Sequence, residues 1–360
     1  MNTLIRARWR VSILAAVFFV LTTLPGPKII ADAGTAESKD APRLLDRFTS
    51  FSAFPGSVSW KKTVPQVRTI RIKSSADGSL QPALYFDSGT EHKKPLLVAL
   101  HSWSDNYRQR YSIPYALWAI TNDWVFVHPD YRGVFSNPAS TGSELSIKDI
   151  LDAVDYARAN ARIDESRIYI VGFSGGAMTA LIMAGRYPDL FTGVSAWVPV
   201  YNISRWYPYV TKFPKRRYAG QIISSCGGAP STGSAAAREC DRRSPSSYLN
   251  NARGKPVRIH ISHGIRDDFV PVTHALLAFN DLAEPADRLS DDDISFIGKN
   301  ARLPSHLAGS FSDKLYSAAG KRLLFRRTSG NVTLSIFSGT HDILYNPALL
   351  WLSENRVSKD

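Results

Sequence analysis

Ile168-Tyr169-Ile170-Val171-Gly172-Phe173-Ser174-Gly175-Gly176-Ala177-Met178 is the stretch on which the fold turns. The apolar run at its start reads as a buried strand, and the small residues at its end open a helix. Between them stands G-x-S-x-G. A strand-to-helix turn of that form is too tight for side chains at its flanks, hence Gly172 and Gly176. The strain lifts the Ser174 hydroxyl to the top of a sheet. The backbone N–H of Gly175, at a helix N-terminus, then points toward a developing oxyanion. G-x-S-x-G alone is a modest signal, and a Gly-rich strand exit is the bland alternative. The strand before it and the helix after it strengthen the reading of Ser174 as a nucleophile.

Other apolar runs surround this one. They are Pro95 to Leu100, Trp124 to Val127, Val194 to Val198, Val257 to Ile261 and Val332 to Ile336, with an alternating strand at Val67 to Ile72. Continuous apolar strands are expected when helices cover both faces of a parallel sheet. Helices are expected at Ser146 to about Ala161, Met178 to Tyr187, Val272 to Leu282 and Pro347 to Leu352. In the first, Ser146 reads as the cap, and Ile147, Ile150, Leu151, Val154 and Ala157 form one apolar stripe. Alternation of this kind implies an α/β fold with right-handed crossovers. Residues 201–251 and 284–330 interrupt it. Both read as lid-like insertions over the C-terminal ends of the strands, where open sheets bind ligands.

The 360 residues are 44% hydrophobic and 21% charged, which excludes wholesale disorder and a multi-span membrane protein. Arg6, Arg8 and Arg10 precede an apolar run, Val11 to Leu24, and Ala31-Asp32-Ala33 has the A-x-A form. Residues 1–33 therefore read as a secretory signal cleaved after Ala33, with an uncleaved anchor as the alternative. They carry +3 of the +13 net charge, so the mature chain keeps +10. That surplus suits an acidic polysaccharide or an anionic envelope; no nucleic-acid-binding signature is present. A basic surface kept for solubility is the plain alternative. The two cysteines, Cys226 and Cys240, read as a disulfide in an oxidising compartment. Residues 34–65 are polar and read as a loose lead-in to a domain over 66–360.

Ser174 needs a base and the base needs an orienting acid, in the order Ser, Asp, His. His263-Gly264-Ile265-Arg266-Asp267-Asp268-Phe269-Val270-Pro271 places Asp267 just past a strand end, with Asp268 as a rival carboxylate read as a helix N-terminal charge. His341 lies in the loop after the last strand, and His306 is its competitor. His263 reads as structural. The second oxyanion donor is expected after the strand ending at Leu100. The backbone N–H of Trp103 is preferred there, with Ser102 as alternate. This chemistry calls for no metal and no organic cofactor.

From Pro95 to Pro347 the chain resembles the α/β-hydrolase fold, and within it the catalytic domain of the prolyl oligopeptidase family. The resemblance rests on His128-Pro129-Asp130-Tyr131-Arg132-Gly133, Gly172-Phe173-Ser174-Gly175-Gly176, Arg243-Ser244-Pro245, His263-Gly264-Ile265-Arg266-Asp267 and His341. It implies Ser174, Asp267 and His341 as the triad. Two features depart from the family pattern. Residues 34–95 are too few for a β-propeller, and Ser102 stands where the family carries glycine. Stand-alone secreted relatives are similar to esterases, including those that deacylate plant polysaccharides. The expectation is an exported carboxylic-ester hydrolase acting on small-molecule or carbohydrate esters. A peptidase on small peptides and a non-catalytic binding module are the alternatives. Trp197, Tyr201, Trp206, Tyr207 and Tyr209 offer an aromatic pocket wall, with Tyr201, Trp206 and Tyr207 as candidate substrate contacts. A lid packed on its own aromatics is the alternative.

Overall fold

The computed structural model describes residues 41–356; the expected export signal, 1–33, lies outside them. The strands are β1 (Arg68–Lys73), β2 (Leu80–Phe86), β3 (Lys94–Leu100), β4 (Val125–Pro129), β5 (Ile163–Phe173), β6 (Gly193–Trp197), β7 (Arg258–Gly264), β8 (Leu323–Ser329) and β9 (Val332–Phe337). They form one sheet in the order β1-β2-β4-β3-β5-β6-β7-β9-β8. The six strands from β4 to β9 in that order run parallel, and β1, β2 and β8 are antiparallel additions at the two edges.

The apolar runs are continuous because both faces are covered. In β3, Leu96, Val98 and Leu100 enter one core while Leu97 and Ala99 enter the other. Ile168 and Ile170 of β5 divide from Tyr169, Val171 and Phe173 in the same way. The first helices are α1 (Trp60–Thr63), α2 (Ile113–Thr121), α3 (Glu144–Asn160) and α4 (Gly175–Arg186). Between β6 and β7 lie α5 (Ile203–Val210), α6 (Tyr218–Cys226) and α7 (Ala235–Arg242). The rest are α8 (Thr273–Leu282), α9 (Asp291–Asn300), α10 (Lys314–Ala318) and α11 (Tyr345–Ser353). α3, α4 and α8 bury their apolar sides in the first core, and α2 and α11 in the second. No helix among the described residues is long and apolar enough to cross a membrane.

Three expectations are adjusted and one strand was not foreseen. The cap of α3 is Ser143, whose hydroxyl accepts from the Ser146 N–H, so the cap lies three residues before Ser146. Strand β2 occupies 80–86 although Pro82 interrupts its apolar run; the Pro82 carbonyl still accepts from Asp130 N–H at 3.0 Å. The stretch 284–330 is not all insertion, because Leu323–Ser329 pairs with β9 as an edge strand. Its Leu323 and Phe325 face inward, while arginines at 326 and 327 mask the pattern. Finally, residues 45–54 do not hang loose. Ser50 bridges Leu344 antiparallel, Phe51 N–H donates to Ile343 O, and Tyr345 N–H donates to Thr49 O. Asn346 meets the backbone of Leu45 through both ends of its amide. Such pairing couples residues about 300 apart and leaves no local pattern.

Cys226 and Cys240 form a disulfide, with Cα atoms 5.3 Å apart. It ties the end of α6 to α7 across the Gly- and Ser-rich segment.

Candidate active site

Ser174 sits between β5 and α4 at φ 58°, ψ −120°. An L-residue held there stores about 1–3 kcal/mol. The surroundings enforce it. Ser174 N–H donates to Trp197 O at 2.9 Å, and Met178 N–H donates to Ser174 O at 3.0 Å. The flanking glycines are steric necessities. A Cβ on Gly172 would fall 2.3 Å from the Gly176 carbonyl, and one on Gly176 would fall 2.6 Å from Leu100 O.

Gly175 presses against the loop after β3. A Cβ there would lie 2.6 Å from Trp103 N and 2.8 Å from Trp103 Cα. The structure thus sets the Gly175 and Trp103 backbones side by side. Among the described residues neither N–H donates a hydrogen bond. The Ser102 N–H, by contrast, is spent on Gln109 Oε1 at 2.7 Å. The Trp103 segment is pinned by its other groups. Its carbonyl accepts from Phe135 N–H at 2.9 Å, and its indole N–H donates to Gln221 Oε1 at 3.0 Å. The indole ring is buried against Phe135, Trp206 and Tyr218.

Asp267 follows β7. Gly264 permits that approach, because a Cβ on it would fall 2.1 Å from Thr340 O in the loop that carries His341. Arg266 N–H donates to Gly339 O and ties the two loops. His341 Nδ1 lies 2.7 Å from Asp267 Oδ2. Against a carboxylate acceptor, Nδ1 carries the proton and Nε2 presents a lone pair in the neutral ring. No described residue hydrogen-bonds that Nε2 or the Ser174 hydroxyl. The ring lies between Phe269, at 5.1 Å, and Phe173, at 4.9 Å. Phe173 immediately precedes Ser174, so the imidazole rests beside the serine turn.

The Asp267 carboxylate is fully used. Oδ1 accepts from Phe269 N–H at 2.8 Å and Val270 N–H at 2.9 Å. Burial pushes its pKa upward, but the charge of His341 and the hydrogen bonds from His263 and His341 outweigh burial. The carboxyl is held well below the ordinary range.

His263 is the residue that sequence reasoning undervalued. Its Nε2 lies 2.9 Å from Val270 O and 3.2 Å from Asp267 Oδ2. Nε2 therefore carries the proton, and the buried Nδ1 finds no partner among the described residues. Its spacing of i, i+4 from Asp267 was the signal available.

The rivals lie elsewhere. Asp268 is exposed and pairs with Arg216 at 2.8 Å, latching the lid rather than charging a helix N-terminus. Arg216 also lies over the Phe213 and Phe269 rings. His306 pairs with Asp293 at 2.9 Å on the surface. His260 and His274 are buried, and that burial pushes both down to about 3.

Of the lid aromatics, Tyr201 is buried and donates its hydroxyl to Asp281 Oδ2 at 2.6 Å, so it is turned into the packing rather than toward a ligand. Trp206 is buried with its indole N–H on Phe269 O at 2.9 Å, which fastens the lid to the Asp267 loop. Tyr207 is half-buried at the edge of the same core.

A second missed element braces His341 from behind. The neighbouring Asp342 is fully buried and accepts from Ser52 N–H and the Ser52 hydroxyl, with Lys321 Nζ at 3.3 Å. Phe51 packs 4.9 Å from Phe173, extending the aromatic row that ends at His341.

Comparisons with known proteins meet this geometry at the fold. An esterase of Pyrococcus furiosus matches with a TM-score of 0.50 at 16% identity, over 84% of this chain and 93% of its own. The chain has the α/β-hydrolase fold. Within this fold, residues 141–295 match the model of the prolyl oligopeptidase family. A poly(3-hydroxyalkanoate) depolymerase C of Paucimonas lemoignei is 32% identical over 130 residues, which is 33% of this chain and 31% of that one. An acetylxylan esterase of Coprinopsis cinerea is 44% identical over 151 residues, covering 37% of this chain and 38% of its own. The matches span between 31% and 42% of the length of such curated relatives.

Proposed function

We propose that this α/β-hydrolase is an exported serine hydrolase that cleaves carboxylic esters through an acyl-enzyme, with Ser174, Asp267 and His341 as its triad. The observation that carries the reading is the Asp267–His341 hydrogen bond of 2.7 Å on a ring packed against Phe173, beside the Ser174 turn.

Ser174 Oγ attacks the acyl carbon while His341 Nε2 takes its proton. Asp267 holds the imidazole and stabilises its charged form. The N–H groups of Gly175 and Trp103 receive the oxyanion. Collapse of the tetrahedral adduct expels the alcohol, which takes the proton from Nε2. Water then attacks the acyl-enzyme, its proton passes to His341, and the acid leaves as Ser174 is restored.

Relatives named acetylxylan esterase, feruloyl esterase and polyhydroxyalkanoate depolymerase support small or carbohydrate esters as the substrate class. Export rests on residues 1–33, with cleavage after Ala33, and on the disulfide. The lid over 201–251 supplies the pocket wall, with half-buried Tyr207 among its aromatics. The prolyl oligopeptidase match favours a second reading, a peptidase on small peptides.

Purified chain should turn over aryl acetates, and Ser174→Ala should abolish that turnover while leaving the fold intact. Faster hydrolysis of peptide anilides than of acyl esters would replace the esterase reading with the peptidase one. Activity surviving in Ser174→Ala would remove both.

A further inference from the structure

Ile265 and Arg266, which join β7 to Asp267, form one wall of a cleft of about 580 Å³ that the proposed chemistry does not use. The loop after α9 and the start of β8 supply the other walls. Each wall contributes one arginine: Arg266, Arg302 and Arg322. Among the described residues none of these three guanidinium groups pairs with a carboxylate. Arg132, Arg158, Arg186, Arg216 and Arg243, by contrast, have acidic partners. The one carboxylate lining the cleft, Asp313, is already committed. Its Oδ2 takes Arg326 at 2.9 Å, and its Oδ1 caps α10 through the N–H groups of Leu315 and Tyr316.

The three exposed guanidinium groups line one concavity, so an anionic ligand seated there meets positive charge from each wall. The remaining lining includes Leu303 and Phe311, apolar surface of the kind that sugar C–H faces cover. A volume of this order accommodates a ligand of several rings, and a single inorganic ion leaves most of it unfilled.

We propose that this cleft binds the carboxylate-bearing sugar units of an acidic polysaccharide and holds the polymer beside the Asp267 loop. Planar guanidinium groups match carboxylates in a forked geometry, and a repeating polymer engages several at once. The surplus of positive charge on the chain draws such a polymer in. The proposal does not depend on ester hydrolysis, so its failure and the failure of the hydrolase reading are separable.

The test is binding of fluorescent galacturonate oligomers to the full chain, to a triple variant Arg266→Ala, Arg302→Ala, Arg322→Ala, and to the double variant at 302 and 322. A control variant, Lys61→Ala, Lys62→Ala, Arg71→Ala, removes the same charge from exposed positions elsewhere. The triple variant should bind about tenfold more weakly or worse. The control should bind like the parent, and a neutral xylan oligomer should bind neither. The double variant, which spares the segment next to Asp267, should show an intermediate loss and answers for a triple variant that fails to fold. Equal losses in the control and the triple variant would reduce the effect to net charge and overturn the site. Tighter binding of dextran sulfate or inorganic phosphate than of galacturonate at matched charge would overturn the carboxylate assignment.

Discussion

Gly175→Ala isolates the proposed oxyanion site from everything else in the molecule. Gly175 is the first residue of α4, and its φ is not in the left-handed region, so alanine is conformationally acceptable there. Intrinsic propensity even favours the change by about 1 kcal/mol. Sterics oppose it. The new methyl would stand 2.6 Å from Trp103 N and 2.8 Å from Trp103 Cα, both backbone atoms. Ordinary contact requires the two backbones to part by about 1 Å. Trp103 is pinned through Phe135 and Gln221, and the Ser174 turn through Trp197 and Met178, so neither side yields freely. Overpacking of this kind costs about 1–3 kcal/mol of stability and outweighs the propensity gain. The functional effect is larger. The methyl blocks the space between two amides that must converge on one oxygen, and losing one such donor costs about 3 kcal/mol, roughly a hundredfold in kcat. Steady-state kinetics on an aryl acetate, with a melting curve for each protein, reads both effects. kcat should fall about a hundredfold with KM nearly unchanged. A folded variant whose kcat stays within about threefold of the parent would refute the pairing of these two amides as the oxyanion site.

Four further outcomes follow from the same contacts. Asp267 is held below its unfolded pKa, so its ionisation stabilises the native state at neutral pH, and that contribution fades as acidification protonates the folded carboxylate. The stability gap between parent and Asp267→Asn should therefore narrow on lowering the pH, and a gap constant from neutral to acidic pH in denaturant titrations would contradict this. His263→Phe should remove a hydrogen bond to Asp267 Oδ2 and lower kcat more than KM, with the acid limb of the rate profile displaced; an unchanged profile would make His263 a packing residue only. Ser52→Ala withdraws one donor from the buried Asp342 and should cost about 1.5–3 kcal/mol, read as a lower melting temperature together with reduced turnover. Cys226→Ser with Cys240→Ser should lose about 3 kcal/mol of stability while keeping esterase turnover, since the bridge ties lid helices to each other rather than to the Asp267 loop.

Sequence alone determined what depends on neighbouring residues. The β5–turn–α4 unit is legible because Gly172, Gly175 and Gly176 answer constraints that lie within a few residues or at one fixed contact, and the buried strands are legible because both their sides are apolar. Asp267 and His341 could be singled out as candidates because each follows a strand whose place in the order is set by alternation. Other matters were decided only by tertiary structure. Capture of the Ser102 N–H by Gln109 leaves Trp103 as the free amide. His263 shares Asp267, the hydroxyl of Tyr201 goes to Asp281, and residues 45–54 brace the His341 loop. Each of these is a competition among hydrogen-bond donors and acceptors, or among packing surfaces, brought together from distant parts of the chain. The winner is fixed by three-dimensional proximity, which no local periodicity or motif spacing encodes.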